Sequence, residues 1–173
     1  PIPEASTRLA ELEVGNADLV ANIPPESAER IAAIEGIDVR STPTGQRFYI
    51  GLRHDEAGPL QDARVRRALN HAVDVDLIIE TLLGDLGERR ATLLNPPHAD
   101  PSLTPFAYDP ELAEELLAEA GYPDGFEMTI MSPNGRYTRD LEIAQAVASF
   151  LRDVGIDVTV EANEWGRYID LMV

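Results

Sequence analysis

Cysteine and lysine are both absent from this 173-residue sequence, and each absence closes off a class of function. Without cysteine there is no disulfide framework, no thiol nucleophile and no cysteine-ligated zinc. The redox compartment therefore leaves no trace. Without lysine, all 14 basic residues are arginines, set against 31 acidic ones for a formal net charge of −17. So acidic a chain lacks the basic face that phosphate neutralisation requires, which excludes nucleic acid as a partner and disfavours an anionic membrane surface. Long apolar runs are missing too. Those present are broken by charge, as in Leu77-Ile78-Ile79-Glu80, and fall far short of the roughly 20 residues that span a bilayer. Histidine is scarce, at three residues. His54-Asp55-Glu56 and His98-Ala99-Asp100 have the composition of metal ligands, but three histidines without cysteine favour polar loops over a closed zinc site. His71, beside Asn70 in a helical pattern, reads as a capping or surface residue. No P-loop, nucleophile elbow or H-E-x-x-H motif is found, so no catalytic residue, metal or cofactor is expected.

What is present has the make-up of a globular chain, 44% hydrophobic and 26% charged. The opening Pro1-Ile2-Pro3-Glu4 has neither the basic nor the apolar stretch of a secretory signal, so the chain is either cytosolic or an internal piece of something longer, and the still apolar Leu171-Met172-Val173 suggests a cut end. Arginine's planar fork suits carboxylate pairing, which predicts a surface network of Arg with Asp and Glu. Helical and strand patterns alternate. Helices are expected over Ala5–Val14, stopped by Gly15, and from Pro24-Pro25-Glu26 with Ile31 and Ile34 inward. Asp62 is the natural N-cap of a helix through Val65, Leu69 and Val73, and Asp74 caps its continuation to Gly84. Asp109, Pro110 and Gly121 bound the best-defined helix, whose stripe is Leu112, Leu116 and Leu117 and whose outer face carries Glu111, Glu114, Glu115 and Glu119. Ile143, Val147, Phe150, Leu151 and Val154 mark another, ended by Gly155, and a last one starts near Glu164. Strands are expected at Ala17–Ala21, Ile37–Arg40, Arg47–Leu52, Phe126–Met131 and Ile156–Val160. Residues 87–107, with four prolines, are the least regular stretch. The fold class is α/β, a mixed arrangement of helices packed on a small sheet.

Four stretches, in order Arg8–Asp18, Pro59–Asp74, Tyr108–Tyr122 and Ala144–Trp165, resemble the peptide, nickel and oligosaccharide binding proteins that serve ABC importers, the family 5 extracellular solute-binding proteins. Arg8 to Asp18 is similar to that family's R-x-x-x-L-x-x-G-x-x-D, and Pro59 to Asp74 to its P-x-x-D-x-R-V-R-x-A-L-x-x-A-I-D. Tyr108 to Tyr122 is similar to D-P-x-x-A-x-x-L-L-x-x-A-G, the most specific of the four. The fourth runs from Ala144-Gln145-Ala146 through Val154-Gly155-Ile156 to Glu164-Trp165.

The resemblance implies the middle part of a periplasmic-binding-protein-like molecule. Residues 1–46 would be the end of a first lobe and the approach to the crossover, and residues 47–173 a second ligand-binding lobe. Its function would be solute capture for an ABC importer, in an extracytoplasmic, periplasmic or lipoprotein setting, and not catalysis. The implied partners are a peptide or other small polar solute, the permease subunits of the transporter, and the first lobe missing from this sequence. The alternative is the solute-sensing domain of a cytosolic transcriptional regulator. In the family, the loop before the Gln145 helix reaches the ligand, which here points to Asn134, Gly135, Arg136 and Tyr137. Backbone N–H groups at that helix start and the Arg136 fork both suit a carboxylate, and Tyr137 offers a ring or a hydroxyl. One departure is Gly51-Leu52, where many members read F-N after the crossover strand. For Trp165, a place in the core or between lobes is expected ahead of ligand stacking. For Arg64, Arg66 and Arg67, pairing with neighbouring acids stands beside an anion site.

Overall fold

The computed structural model describes residues 2, 4–42, 45–55, 57–94 and 98–172. These fall into two compact units, Pro1–Thr44 and Gly45–Val173. The first holds two helices, α1 (Ala5–Glu13) and α2 (Pro25–Ala32), each burying one large side chain, Leu9 and Ile31. An ion pair between Arg30 and Glu13 joins them. Gly15, at φ +77°, ends the α1 turn as expected, its N–H donating to Leu12 O at 3.1 Å.

The second unit begins with an extended segment and a 3-10 turn (Pro59–Gln61), then α3 (Ala63–His71) and α4 (Val75–Ile78). The carboxylates of Asp62 and Asp74 cap the two helices, accepting from Arg64 N–H at 2.8 Å and Leu77 N–H at 3.0 Å. α4 runs on through a π-helical turn (Ile79–Leu83) and a 3-10 turn (Gly84–Leu86) before the chain turns irregular. Then come α5 (Pro110–Glu119), β1 (Glu127–Pro133), α6 (Asp140–Asp153), β2 (Asp157–Asn163) and α7 (Trp165–Met172). The architecture is the expected mixed α/β. β1 and β2 form a two-stranded parallel sheet in register from Glu127↔Asp157 to Pro133↔Asn163, crossed by α6, which packs on both strands.

α3 and α5 form a hairpin pinned at both ends. Arg64 Nη1 donates to Glu119 O at 2.7 Å, tying the start of α3 to the end of α5. At the other end, Asp109 N–H donates to His71 O at 2.9 Å, and His71 Nδ1 lies 2.8 Å from Ala107 O. His71, expected as a capping or surface residue, is a buried clasp whose ring meets that of Phe106 edge-on. Between the pins lie Val65, Leu69, Ala113, Leu116 and Leu117, continuous with Ala148, Leu151 and Ile130 of the sheet layer.

Three expected strands are absent. Residues 17–21, 37–40 and 47–52 carry no ladder, because a strand needs a neighbour and the only sheet among the described residues is β1–β2. Their side chains show it: Leu19 is 89% exposed and Tyr49 67%. In place of the expected Arg–acid network, the described residues form separate pairs such as Arg40–Asp38, Arg89–Asp76 and Arg90–Glu88. Such exposed pairs each contribute little to stability.

The Asp62 carboxyl is held down to about 2 from an ordinary 3.8, first by the Arg64 side chain and then by its backbone N–H. A folded-state pKa below the unfolded one gives a stabilising contribution that is complete above about pH 4 and lost as pH falls through about 2. Asp62→Asn is therefore expected to flatten the acid limb of a stability–pH curve between those values. An unchanged slope, by urea titration at stepped pH, would remove Asp62 from the acid response.

Candidate functional site

Because β1 and β2 are parallel, both chains leave the sheet at the same end. Ligands of open α/β sheets bind outside the carboxyl ends of the strands. At that end Asn134 N–H donates to Asn163 O at 3.0 Å, closing the last rung. Two connections meet there: the loop 134–139 after β1, and the short step from Asn163 to Trp165 after β2.

The loop is wound around one side chain. Asp140, 6% exposed at the first position of α6, accepts from Gly135 N–H at 3.0 Å and Leu141 N–H at 2.9 Å on Oδ1. Its Oδ2 accepts from Arg136 N–H at 2.9 Å and Tyr137 N–H at 3.0 Å. Two left-handed residues make the winding possible, Gly135 at φ +76° and Arg139 at φ 58°. The second is a non-glycine residue in a conformation that costs about 1–2 kcal/mol. The backbone N–H groups expected to be open to a ligand carboxylate are thus already filled by the chain's own Asp140.

What the loop offers outward is side chain. Arg136 is exposed and its guanidinium carbon lies 4.9 Å from the centre of the Tyr137 ring and 5.0 Å from that of Trp165. The guanidinium makes no hydrogen bond or ion pair with any described residue, so rings orient it and its donor fork is left open. Tyr137 meets Phe48 edge-on at 6.1 Å and Trp165 at 5.7 Å, and Trp165 stacks on Tyr168 at 5.9 Å. Burial pushes the Tyr168 phenol up, helped by the nearby phenols of Tyr49 and Tyr137. The five rings come from three separate segments, 48–49, 137 and 165–168, so the cluster is tertiary and not a local stack.

Of the residues expected from the sequence, the structure brings Arg136 and Tyr137 together with Trp165. Asn134 is exposed on the same loop, and Gly135 supplies the turn. Trp165, expected in the core or between lobes, is only half-buried and so not a core residue, and it carries a cation on its ring. Asp140, Phe48, Tyr49 and Tyr168 were not anticipated. An acid opening a helix just after an Asn-Gly turn was a usable signal for the first, and the i, i+3 aromatic pair for the last.

The other candidates resolve structurally. Arg64 is held by Asp62 and Glu119 O, and Arg66 Nη1 donates to Leu60 O and Gln61 O at 2.7 and 2.9 Å. Glu111, Glu114, Glu115 and Glu119 form an exposed face, as expected. Asp100 accepts from Ser102 in a tight turn, and among the described residues no group of three His, Asp or Glu side chains could hold a metal. Glu56, the third member of the His54 motif, lies outside the described residues. No helix among them is long and apolar enough to cross a membrane.

Comparison with known proteins shows the family and the fold. The family model for bacterial extracellular solute-binding proteins, family 5 Middle, matches residues 1–172. The glutathione-binding protein GsiB of Escherichia coli K12 is 30% identical over 168 residues, covering 96% of this chain and 32% of its own length. Among solved structures, the periplasmic binding protein DppA of Helicobacter pylori, in complex with the peptide STSA, superposes with a TM-score of 0.85 at 29% identity, over 97% of this chain and 32% of that one. NikA of Brucella suis, in complex with Fe(III)-EDTA, gives 0.75 at 31% identity, over 96% and 36%. The chain thus spans about a third of the length of the curated relatives it matches.

Proposed function

Since the chain belongs to the bacterial extracellular solute-binding proteins, family 5, we propose that its parent protein captures a small carboxylate-bearing solute outside the cytoplasm and delivers it to an ABC importer. In this reading residues 47–173 are one ligand-binding lobe, residues 1–46 lead into it from the other, and permease subunits receive the loaded protein. Closure of two lobes on a solute by hinge motion is the physical mode that suits such a part.

The observation that carries the proposal is the open Arg136 fork, held by Tyr137 and Trp165 at the carboxyl ends of the parallel strands. A planar guanidinium presents parallel N–H donors that match a carboxylate bidentately, and its ring contacts restrict the rotamers that would otherwise be lost on binding. The ligands named for the relatives fit the same chemistry: glutathione, the peptide STSA and Fe(III)-EDTA all carry carboxylates. A peptide or glutathione-like solute is the favoured class. The surrounding rings suit the apolar part of such a molecule, and the Tyr137 hydroxyl a polar one. In this reading the site binds and does not transform, as the solute-binding family implies.

Native mass spectrometry of the full-length protein, purified without refolding, is expected to show a retained carboxylate-bearing mass. Calorimetric titration with that solute should then show Arg136→Ala binding about 10- to 100-fold more weakly, the loss of one charge-assisted bidentate contact. Unchanged affinity in Arg136→Ala would overturn the placement of the solute carboxylate.

A further inference from the structure

We propose that Asp140 is a positioning residue for solute binding: a carboxylate, itself 6% exposed, that sets Arg136 in place through the backbone. The proposal rests on the reading of Arg136 as the carboxylate anchor. One oxygen of Asp140 takes the N–H of Arg136 and that of Tyr137, at 2.9 and 3.0 Å. These are the residue that carries the guanidinium and the residue whose ring lies beneath it. The other oxygen takes Gly135 and Leu141 N–H groups, so the loop and the first turn of α6 are bound to one rigid group. Ser132 Oγ, buried at the end of β1, donates to Pro133 O at 2.8 Å and lies 3.3 Å from Asp140 O, which sets this knot against the sheet.

Two consequences follow from the chemistry. Arginine has a long, entropically costly side chain, and an anchor is effective when its root and head are both fixed before the ligand arrives. Here Asp140 fixes the root, and Trp165, from the neighbouring strand's exit, fixes the head. In addition, the three successive loop N–H groups form a concavity of the kind that binds anions. With Asp140 inside it, a solute carboxylate finds donors on the guanidinium alone, which ties binding to one geometry.

The test is a double-mutant cycle in the full-length protein, titrated calorimetrically with glutathione and with a mixture of free-carboxylate di- to tetrapeptides. Asp140→Asn retains the shape but turns one acceptor of the knot into a donor. It is expected to weaken binding about tenfold with Arg136 present and less than about twofold in the Arg136→Ala background. Amide exchange at Gly135, Arg136 and Tyr137 should quicken in the same variant. Where Asp140→Asn melts too early to titrate, Asp140→Ser, which keeps one oxygen in the nest, carries the same cycle. Equal losses in both backgrounds would overturn the proposal, showing that Asp140 supports the lobe without acting through Arg136. A silent Arg136→Ala, or a wild type that binds none of the probes, is a different pattern: it overturns the anchor reading itself and the proposal with it.

Discussion

Gly125→Ala is expected to destabilise the Gly45–Val173 unit by about 3–5 kcal/mol, the sum of an unfavourable backbone conformation and a backbone clash. Gly125 sits at φ +73°, where a side chain is strained whatever the space around it. Here there is no space. A Cβ built on Gly125 would lie 1.9 Å from Gly155 O, 2.6 Å from Gly155 C and 3.2 Å from Ile156 N. All three are main-chain atoms, so no rotamer change relieves the overlap. The two glycines lie where the chain enters β1 and β2, and their approach sets the spacing from which the register starts, with Asp157 N–H donating to Phe126 O at 2.9 Å. Gly155→Ala is the control. Its φ of +90° is equally unfavourable, but nothing lies within 4 Å of its Cβ, so the conformational cost of about 1–2 kcal/mol is all it should show. Urea denaturation of both variants in the full-length protein, with amide exchange in β1 as the local readout, separates the two. Similar losses for both would mean that the sheet opens readily at this end and the close approach constrains nothing.

That contrast also marks what can be seen in a sequence and what cannot. Helix ends are local chemistry. A carboxylate one residue before a helical pattern reaches the free N–H groups of its first turn, and Asp62, Asp74 and Asp109 all do so. Glycines at Gly15, Gly121 and Gly155 close their helices at positive φ for an equally local reason. Strands are pairings, and alternation shows only that a segment could pair. The segments at 126–131 and 156–160 find each other across α6, whereas those at 17–21, 37–40 and 47–52 have the pattern without a neighbour among the described residues. The site divides in the same way. Arg136 and Tyr137 stand out as residue types in a loop, and the resemblance drew attention to them. The knot around Asp140 depends on the φ of Gly135 and of Arg139, which a string of letters does not display. The rings of Phe48 and Tyr168 join Tyr137 and Trp165 from segments more than 85 residues away or on another strand's exit, beyond the reach of any spacing rule. The pull of helix-start N–H groups on a carboxylate was sound physics. Only the owner of the carboxylate differed, Asp140 and not a solute.

Leu117→Ala is expected to cost about 3–5 kcal/mol, in the upper part of the range for a buried leucine, because the site has been prevented from closing. The penalty of a large-to-small change in a core has two parts, the lost burial of the deleted atoms and the cavity that remains. Only the second depends on how far the neighbours can move. Leu117 is 1% exposed and lies on α5, which packs on α3, in one core cluster with Val65 and Ala113, both fully buried. For the hairpin to collapse onto an alanine, α5 would have to slide or tilt toward α3. Arg64 holds its last turn through Glu119 O, and the His71–Asp109 bond holds its first. Leu112, on the same helix but only half-buried, has solvent to fill what is removed, so Leu112→Ala should cost about 1–2 kcal/mol. The pins themselves can be tested in the same experiment. Combined with Arg64→Ala, which frees one end of α5, Leu117→Ala should lose less than it does alone, giving a coupling of about 1 kcal/mol. Strict additivity, measured by urea denaturation of the four proteins, would show that the hairpin relaxes regardless of its ends and that the cavity cost is set by the core alone.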